Sequence, residues 1–226
     1  MLGQLKWSPG RWDRGEEGLV YGLPVFCITG DPEARFRVFR LRRAGKSFRR
    51  SGITRVLTPE GFRDWPLLAP LEPVSPEPLV RFKADALALA ALRRRDLSPE
   101  RSTVALRGIR VDRDMERAAV RLCPGVRRLI ISAPNGGAEL SRYLRQEFGV
   151  PILPPEERGD LTLSFSPRLS APEGGLTLFG QTPGLDGLTL CAPDLLEEDR
   201  RSLPLLSALW QGGCIRAEAV KIVGIP

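Results

Sequence analysis

Histidine is absent from all 226 residues. This excludes Ser-His-Asp and Cys-His catalysis, imidazole general bases and imidazole metal ligands. Any reaction must run on Asp, Glu, Lys, Tyr, Cys or Arg, or on a bound cofactor. Cysteine is sparse. Cys27, Cys123, Cys191 and Cys214 are irregularly spaced and form no C-x-x-C pair, so the clustered ligands of a zinc site are missing and no metal is expected. Cys27 and Cys191 lie in apolar runs and read as small core residues. Cys123 precedes Pro124-Gly125 at an expected helix C-terminus, where the dipole raises a thiol pKa and argues against a nucleophile. No apolar run reaches the roughly 18 residues that cross a bilayer. The segment MLGQLKWSPGRWDRGEE lacks the apolar core of a secretion signal, so a cytoplasmic location without a membrane partner is expected. Asparagine occurs once, at Asn135, and lysine four times against thirty arginines, which reads as the coding bias of a GC-rich bacterial genome.

The net charge of +7 is unevenly placed. Residues 1–151 carry 28 basic and 17 acidic side chains, whereas residues 152–226 carry 6 and 10. Such asymmetry steers an anionic partner toward the N-terminal two-thirds. The densest run is Arg35, Arg37, Arg40, Arg42, Arg43, Lys46, Arg49, Arg50 and Arg55, with no acid between Glu33 and Glu60 and with Phe36, Phe39 and Phe48 interleaved.

Residues 1–17 hold two tryptophans, a proline and three glycines and read as an extended arm. The run 18–29 is a strand candidate whose central Pro24 favours an edge or a break. Asp31, Pro32 and Glu33 form a helix-start signal, which predicts a helix from there to Ser51 with Gly52 as its left-handed stop. A strand is expected at 53–58 and a loop with one helical turn near Trp65–Leu68. One helix is expected over 75–95, capped by Ser75. Residues 102–153 then alternate strand (102–107), helix (112–123, capped by Asp112), strand (126–132), helix (136–148, stopped by Gly149) and strand (150–153), the pattern of a βαβαβ unit with a parallel sheet. LTLSF, LTLFG and LTLCA repeat Leu-Thr-Leu between turns and read as short strands, some forming an antiparallel hairpin at the sheet edge. A helix at 202–213 stopped by Gly212 and a strand at 216–225 complete the chain.

The fold class is therefore α/β, a Rossmann-like three-layer sandwich with a mostly parallel sheet and a C-terminal antiparallel hairpin. The expected organisation is an arm (1–17) followed by one domain (18–226), with a subdivision near 96–101 as the alternative.

The turn SAPNGGAEL, between strand and helix, is the leading candidate site. Its Pro-Asn-Gly-Gly order fails G-x-G-x-x-G, and no Walker sequence occurs anywhere. Glu156 lies 20 residues beyond Gly136, where a ribose-binding acid would sit, but within a Pro- and charge-rich loop. Ligands of open parallel sheets nevertheless bind at strand C-termini near helix N-termini. Ser132, Asn135, Gly136 and Gly137, with Arg107 at the end of the neighbouring strand, make an anion site there. The simpler alternative is Asn135 as helix cap. Asp112, Asp114 and Glu116 crowd the other helix start and repel anions there.

The expected function is binding of a small anionic ligand or a protein partner without conventional catalytic residues. The first alternative is a cofactor-dependent enzyme with a nucleotide-type ligand at the strand ends. The second is nucleic-acid binding through 35–55, with Arg40, Arg43, Lys46, Arg49 and Arg50 as contacts and no established nucleic-acid motif. No cofactor and no catalytic residue is assigned.

Overall fold

The computed structural model describes residues 1–168 and 174–224. The chain divides into two compact units, one comprising residues 1–75 and 208–216 and the other 76–207 and 217–226. The expected single domain is thus two, and the boundary falls at Ser75/Pro76 rather than near 96–101. Each of the two five-stranded sheets is built from strands of one unit.

The first unit contains β1 (Leu2–Trp7), β2 (Glu16–Val20), β3 (Leu23–Gly30), α1 (Arg37–Arg50), β4 (Arg55–Leu57), α2 (Trp65–Leu68) and β5 (Glu72–Pro73). The strand order is β2-β3-β1-β4-β5, parallel except for the antiparallel β2-β3 hairpin at one edge. The expected N-terminal arm is therefore incorrect, because Leu2–Trp7 is the central strand. The glycine that suggested irregularity has a packing reason. A Cβ on Gly3 would meet the Phe48 ring at 2.9 Å, so glycine is what lets that ring lie against the strand. Pro24 stays compatible with β3 because it pairs only with Leu19 of the edge strand, while pairing to β1 begins at Val25.

Helix α1 starts at Arg37, not at Asp31. The Asp31 carboxylate instead accepts the Glu33 N–H at 3.0 Å, making a local turn that competes with helix propagation. Gly52 is left-handed as expected. The helix buries Leu41, Ala44, Gly45 and Phe48 against a core of Leu5, Ile28, Ile53, Val56, Leu68 and Leu71. Phe36, Val38 and Phe39 remain exposed.

The second unit begins with α3 (Glu77–Phe82) and α4 (Ala84–Arg94), a single expected helix interrupted at Lys83, whose backbone opens to φ −94°. Pro76 occupies the cap position in place of Ser75. Then follow β6 (Thr103–Arg107), α5 (Arg113–Leu122), β7 (Arg128–Ser132), α6 (Gly137–Phe148), β8 (Ile152–Leu153), β9 (Leu161–Ser164), β10 (Leu176–Thr177), β11 (Leu188–Cys191), α7 (Leu203–Gln211, its residues from 208 on counted with the first unit) and β12 (Lys221–Gly224). A five-stranded parallel sheet, order β10-β9-β6-β7-β8, is flanked by helices, the Rossmann-like arrangement read from the βαβαβ pattern.

The Leu-Thr-Leu segments divide. β9 and β10 join the sheet in parallel, and only β11 is antiparallel, paired with β12 as a separate ribbon. Gly213, not Gly212, is left-handed after α7. Ile225, expected to end the last strand, lies outside the described residues. No helix of the described residues is long and apolar enough to cross a membrane.

Candidate functional site

Strand register brings polar residues together on one face of the second unit's sheet. Arg107 of β6 lies opposite Ser132 of β7 and Ser164 of β9, and Ser164 lies opposite Thr177 of β10. Directly opposed residues share a face, so Ser132, Arg107, Ser164 and Thr177 form one row across four strands near their C-terminal ends. One step toward the strand starts, Thr162 stands opposite Ala105. The alternate positions of β6 and β9, which are Val104, Leu106, Leu161 and Leu163, point to the other face and are buried.

A cavity of about 510 Å³ opens on this polar face, lined by Arg95, Arg107, Arg158, Asp160, Thr162 and three glycines. That volume suits a small-molecule ligand. Two of its groups are fixed by internal bonds. The Arg95 guanidinium grips Asp186 at 2.6 and 3.0 Å and also donates to the Gly174 carbonyl. The Asp160 carboxylate accepts the Thr103 N–H at 2.7 Å. Arg107 and Arg158 form no ion pair among the described residues. Arg107 Nε is buried without a hydrogen-bond partner, as is Ser164 Oγ in the same row. Thr162, 5% exposed, makes no side-chain bond among the described residues. Buried donors without partners are uncommon in folded proteins, and here one of them, Arg107 Nε, belongs to a residue lining a cavity with a surplus of positive charge, with Ser164 Oγ in the same row.

The chemistry open to this arrangement is anion recognition. A guanidinium presents N–H groups in a planar fork that matches carboxylate or phosphate, and hydroxyls add donors. Asp160 is the one carboxylate among the lining residues, and one of its oxygens is already engaged. No thiol, lysine or tyrosine lines the cavity.

Of the residues singled out from sequence, Arg107 and Ser132 are brought into the polar row. Asn135, Gly136 and Gly137 are not among the cavity's lining residues. Asn135 is engaged through its backbone, donating to the Ile109 carbonyl at 3.3 Å and accepting the Val111 N–H at 2.9 Å. The expected cap is displaced by one residue. Gly136 holds that position at φ +83°, with no side-chain cap bond. A Cβ on Gly136 would sit 3.3 Å from the Val111 side chain. The Gly137 amide, expected to be free for an anion, donates to the Ala133 carbonyl at 3.2 Å. Glu156 is exposed.

Arg95, Arg158, Thr162 and Ser164 escaped the sequence reading. The usable signal was the alternation in LTLS, where polar residues recur at period two within a strand buried on both faces.

Asp112 caps α5 as expected, accepting the Asp114 and Met115 amides, and it also pairs with Arg81 at 3.0 Å. Arg81 further donates to the Phe165 carbonyl at 2.8 Å. Cys123 donates to the Ala119 carbonyl at 3.2 Å, and burial pushes its thiol pKa up. Burial also raises Cys27, the largest influence there, with Lys6 opposing. Neither is an activated nucleophile. Among the described residues no group of three Cys, Asp or Glu side chains clusters to hold a metal. In the first unit, Arg40, Arg43, Lys46 and Arg50 line a concavity with Trp12, Phe36 and Phe39. Arg49 does not line it and donates to the Gly45 carbonyl at 3.4 Å.

The molecule is thus a two-unit α/β protein with a Rossmann-like parallel sheet. No family model and no curated protein sequence matches the chain. Among solved structures it is similar to an L-tryptophan dehydrogenase from Nostoc punctiforme, at 13% identity over 73% of this chain and 56% of that one, with a TM-score of 0.33. It is also similar to shikimate dehydrogenase 1 from Peptoclostridium difficile, at 10% identity over 63% of this chain and 56% of that one, with a TM-score of 0.25. The chain spans little more than half the length of each, and the likeness is one of backbone arrangement.

Proposed function

We propose that this protein binds a small ligand bearing a carboxylate or phosphate on the polar face of its second unit. Arg107 is the principal contact, with Arg158 and Thr162 beside it. The observation that carries the reading is the Arg107 guanidinium at a cavity, without an ion pair and with a buried Nε that lacks a hydrogen-bond partner among the described residues. Ser132 and Ser164 belong to the same row and act as neighbouring hydroxyls. Asn135, Gly136 and Gly137 support the turn behind that row and contribute no amide from Gly137.

The test is a thermal-shift panel of dicarboxylates, inorganic phosphate, sugar phosphates and nucleotides. A ligand at 100 times its dissociation constant adds about 2.7 kcal/mol to the stability of the form that binds it. One class is expected to raise the melting temperature of the native protein and to leave Arg107→Met and Thr162→Val unmoved. Silence across the panel, or a shift that survives Arg107→Met, overturns the reading.

A further inference from the structure

The first unit carries a second concentration of unpaired charge. Helix α1 presents Arg40, Arg43, Lys46 and Arg50 to a concavity of about 870 Å³ shared with Trp12, Phe36 and Phe39. These four cations span about 15 Å along the helix axis. None has an ion-pair partner among the described residues. Asp13, at the same concavity, uses its Oδ1 within the protein, accepting the Gly15 amide and the Thr29 amide of β3 at 3.1 and 3.0 Å. Phe36 and Phe39 are 62% and 66% exposed. The Arg40 guanidinium lies over the Trp12 ring at 5.6 Å, and that of Arg35 lies over Phe36 at 5.8 Å.

We infer that this face binds single-stranded nucleic acid, with the four cations on phosphates and the Phe36 and Phe39 rings as stacking platforms for bases. The argument is one of complementarity. Single strands offer alternating phosphates and unstacked bases, which is what a row of cations interleaved with exposed rings requires. A duplex keeps its bases stacked inside and would leave both phenylalanines without partners. An acidic peptide would neutralise the charges but give the rings no flat π surface. A membrane surface would suit a convex face, whereas these cations and rings line a concavity. The site lies in a different unit from the Arg107 cavity, so neither proposal depends on the other.

The experiment is fluorescence anisotropy of the full chain with a labelled oligothymidylate, an oligouridylate and a duplex of equal length, over a salt series. Four neutralised phosphates predict a slope of log K against log salt near about −2.8 for a single strand. Arg43→Gln with Lys46→Gln should reduce it to about −1.4. Phe36→Ala and Phe39→Ala should each weaken binding about 5- to 150-fold with the slope unchanged. Both rings are exposed, so the melting temperature of these variants should match the native protein and exclude misfolding. Arg107→Met should bind oligonucleotide normally. The inference is overturned by absence of oligonucleotide binding at low salt, by equal affinity for the duplex, or by insensitivity to both phenylalanine substitutions. Binding of polyglutamate or phosphatidylserine vesicles at this face in place of oligonucleotide overturns it too.

Discussion

Arg107 and Arg81 each carry a buried Nε with no partner, yet replacing them should have opposite effects. Leaving a buried donor unmet costs about 1–3 kcal/mol. Arg107 recovers none of this in the free protein, because it pairs with no acid among the described residues. Arg107→Met keeps an apolar stem of similar length and removes the orphaned N–H. The ligand-free second unit should therefore gain about 1 kcal/mol, which corresponds to about 2–4 °C in melting temperature for a chain of this size. Arg81 differs because its Nη2 reaches Asp112 at 3.0 Å and the Phe165 carbonyl at 2.8 Å, and its guanidinium lies over the Phe165 ring. Arg81→Met forfeits two bonds to a charged donor and should lose about 2–4 kcal/mol. The assay is urea and thermal unfolding of both variants without ligand, followed by the ligand-induced shift. A function-bearing Arg107 predicts a more stable variant that no longer responds to anions. If Arg107→Met melts lower than the native protein when ligand-free, the guanidinium is a structural group and the anion-site argument fails at its root.

Other outcomes follow from single backbone and side-chain features. Gly136→Ala must place a Cβ at φ +83° and 3.3 Å from Val111, whereas Gly149→Ala meets only the φ penalty at +63° with open space around it. Urea unfolding should show a loss of about 1–2 kcal/mol at Gly149 and more at Gly136, and equal losses would discredit the Val111 contact. Asp112→Ala removes the cap of α5 and the Arg81 partner together, for a loss of about 2–3 kcal/mol. Asp112→Asn keeps a cap oxygen and should recover roughly half of it. Burial raises the Cys27 and Cys123 thiols above their ordinary value, so the fold favours the neutral form. Their stabilising contribution is complete below the ordinary thiol pKa and is lost as pH rises through the elevated one. Alkylation of each should therefore show a pH midpoint above that of the unfolded chain, and a midpoint at or below it would refute the burial argument.

The second unit was legible because its elements announce themselves locally. Asp112 at a cap, Gly149 at a stop and the apolar stripes between them are short-range signals, and burial of the resulting faces reinforces each one. The first unit was harder to read because long-range packing decided it. Leu2–Trp7 carries glycine where a strand usually carries a β-branched residue, and the reason, the Phe48 ring against Gly3, lies 45 residues away in sequence. The start of α1 failed for a related reason. Asp31 satisfied an amide within a turn, and a cap signal cannot distinguish that use from helix initiation. Element identity along the chain also carries no strand order, so the division of the Leu-Thr-Leu segments between a parallel sheet and an antiparallel ribbon was not readable.

The same physics separates the turn at Asn135 from the strand before it and from that strand's neighbour. A strand-to-helix turn with adjacent glycines reads as a bare cradle only if its amides are free. Here the segment 109–111 crosses it, taking the Asn135 backbone on both sides and setting Val111 against Gly136. Glycine at this turn gives room to protein, not to ligand. Two buried donors without partners, Arg107 Nε and Ser164 Oγ, instead lie in the sheet row, and with Thr162 they hold polar positions that the hydrophobic pattern of buried parallel strands would assign to Val, Ile or Leu. Polar groups at those positions weaken the free protein, since each unmet donor opposes folding. Arg107 is the one of them that lines the cavity, and the local conflict there between strand pattern and residue chemistry is what the anion-site proposal rests on, rather than the glycine turn.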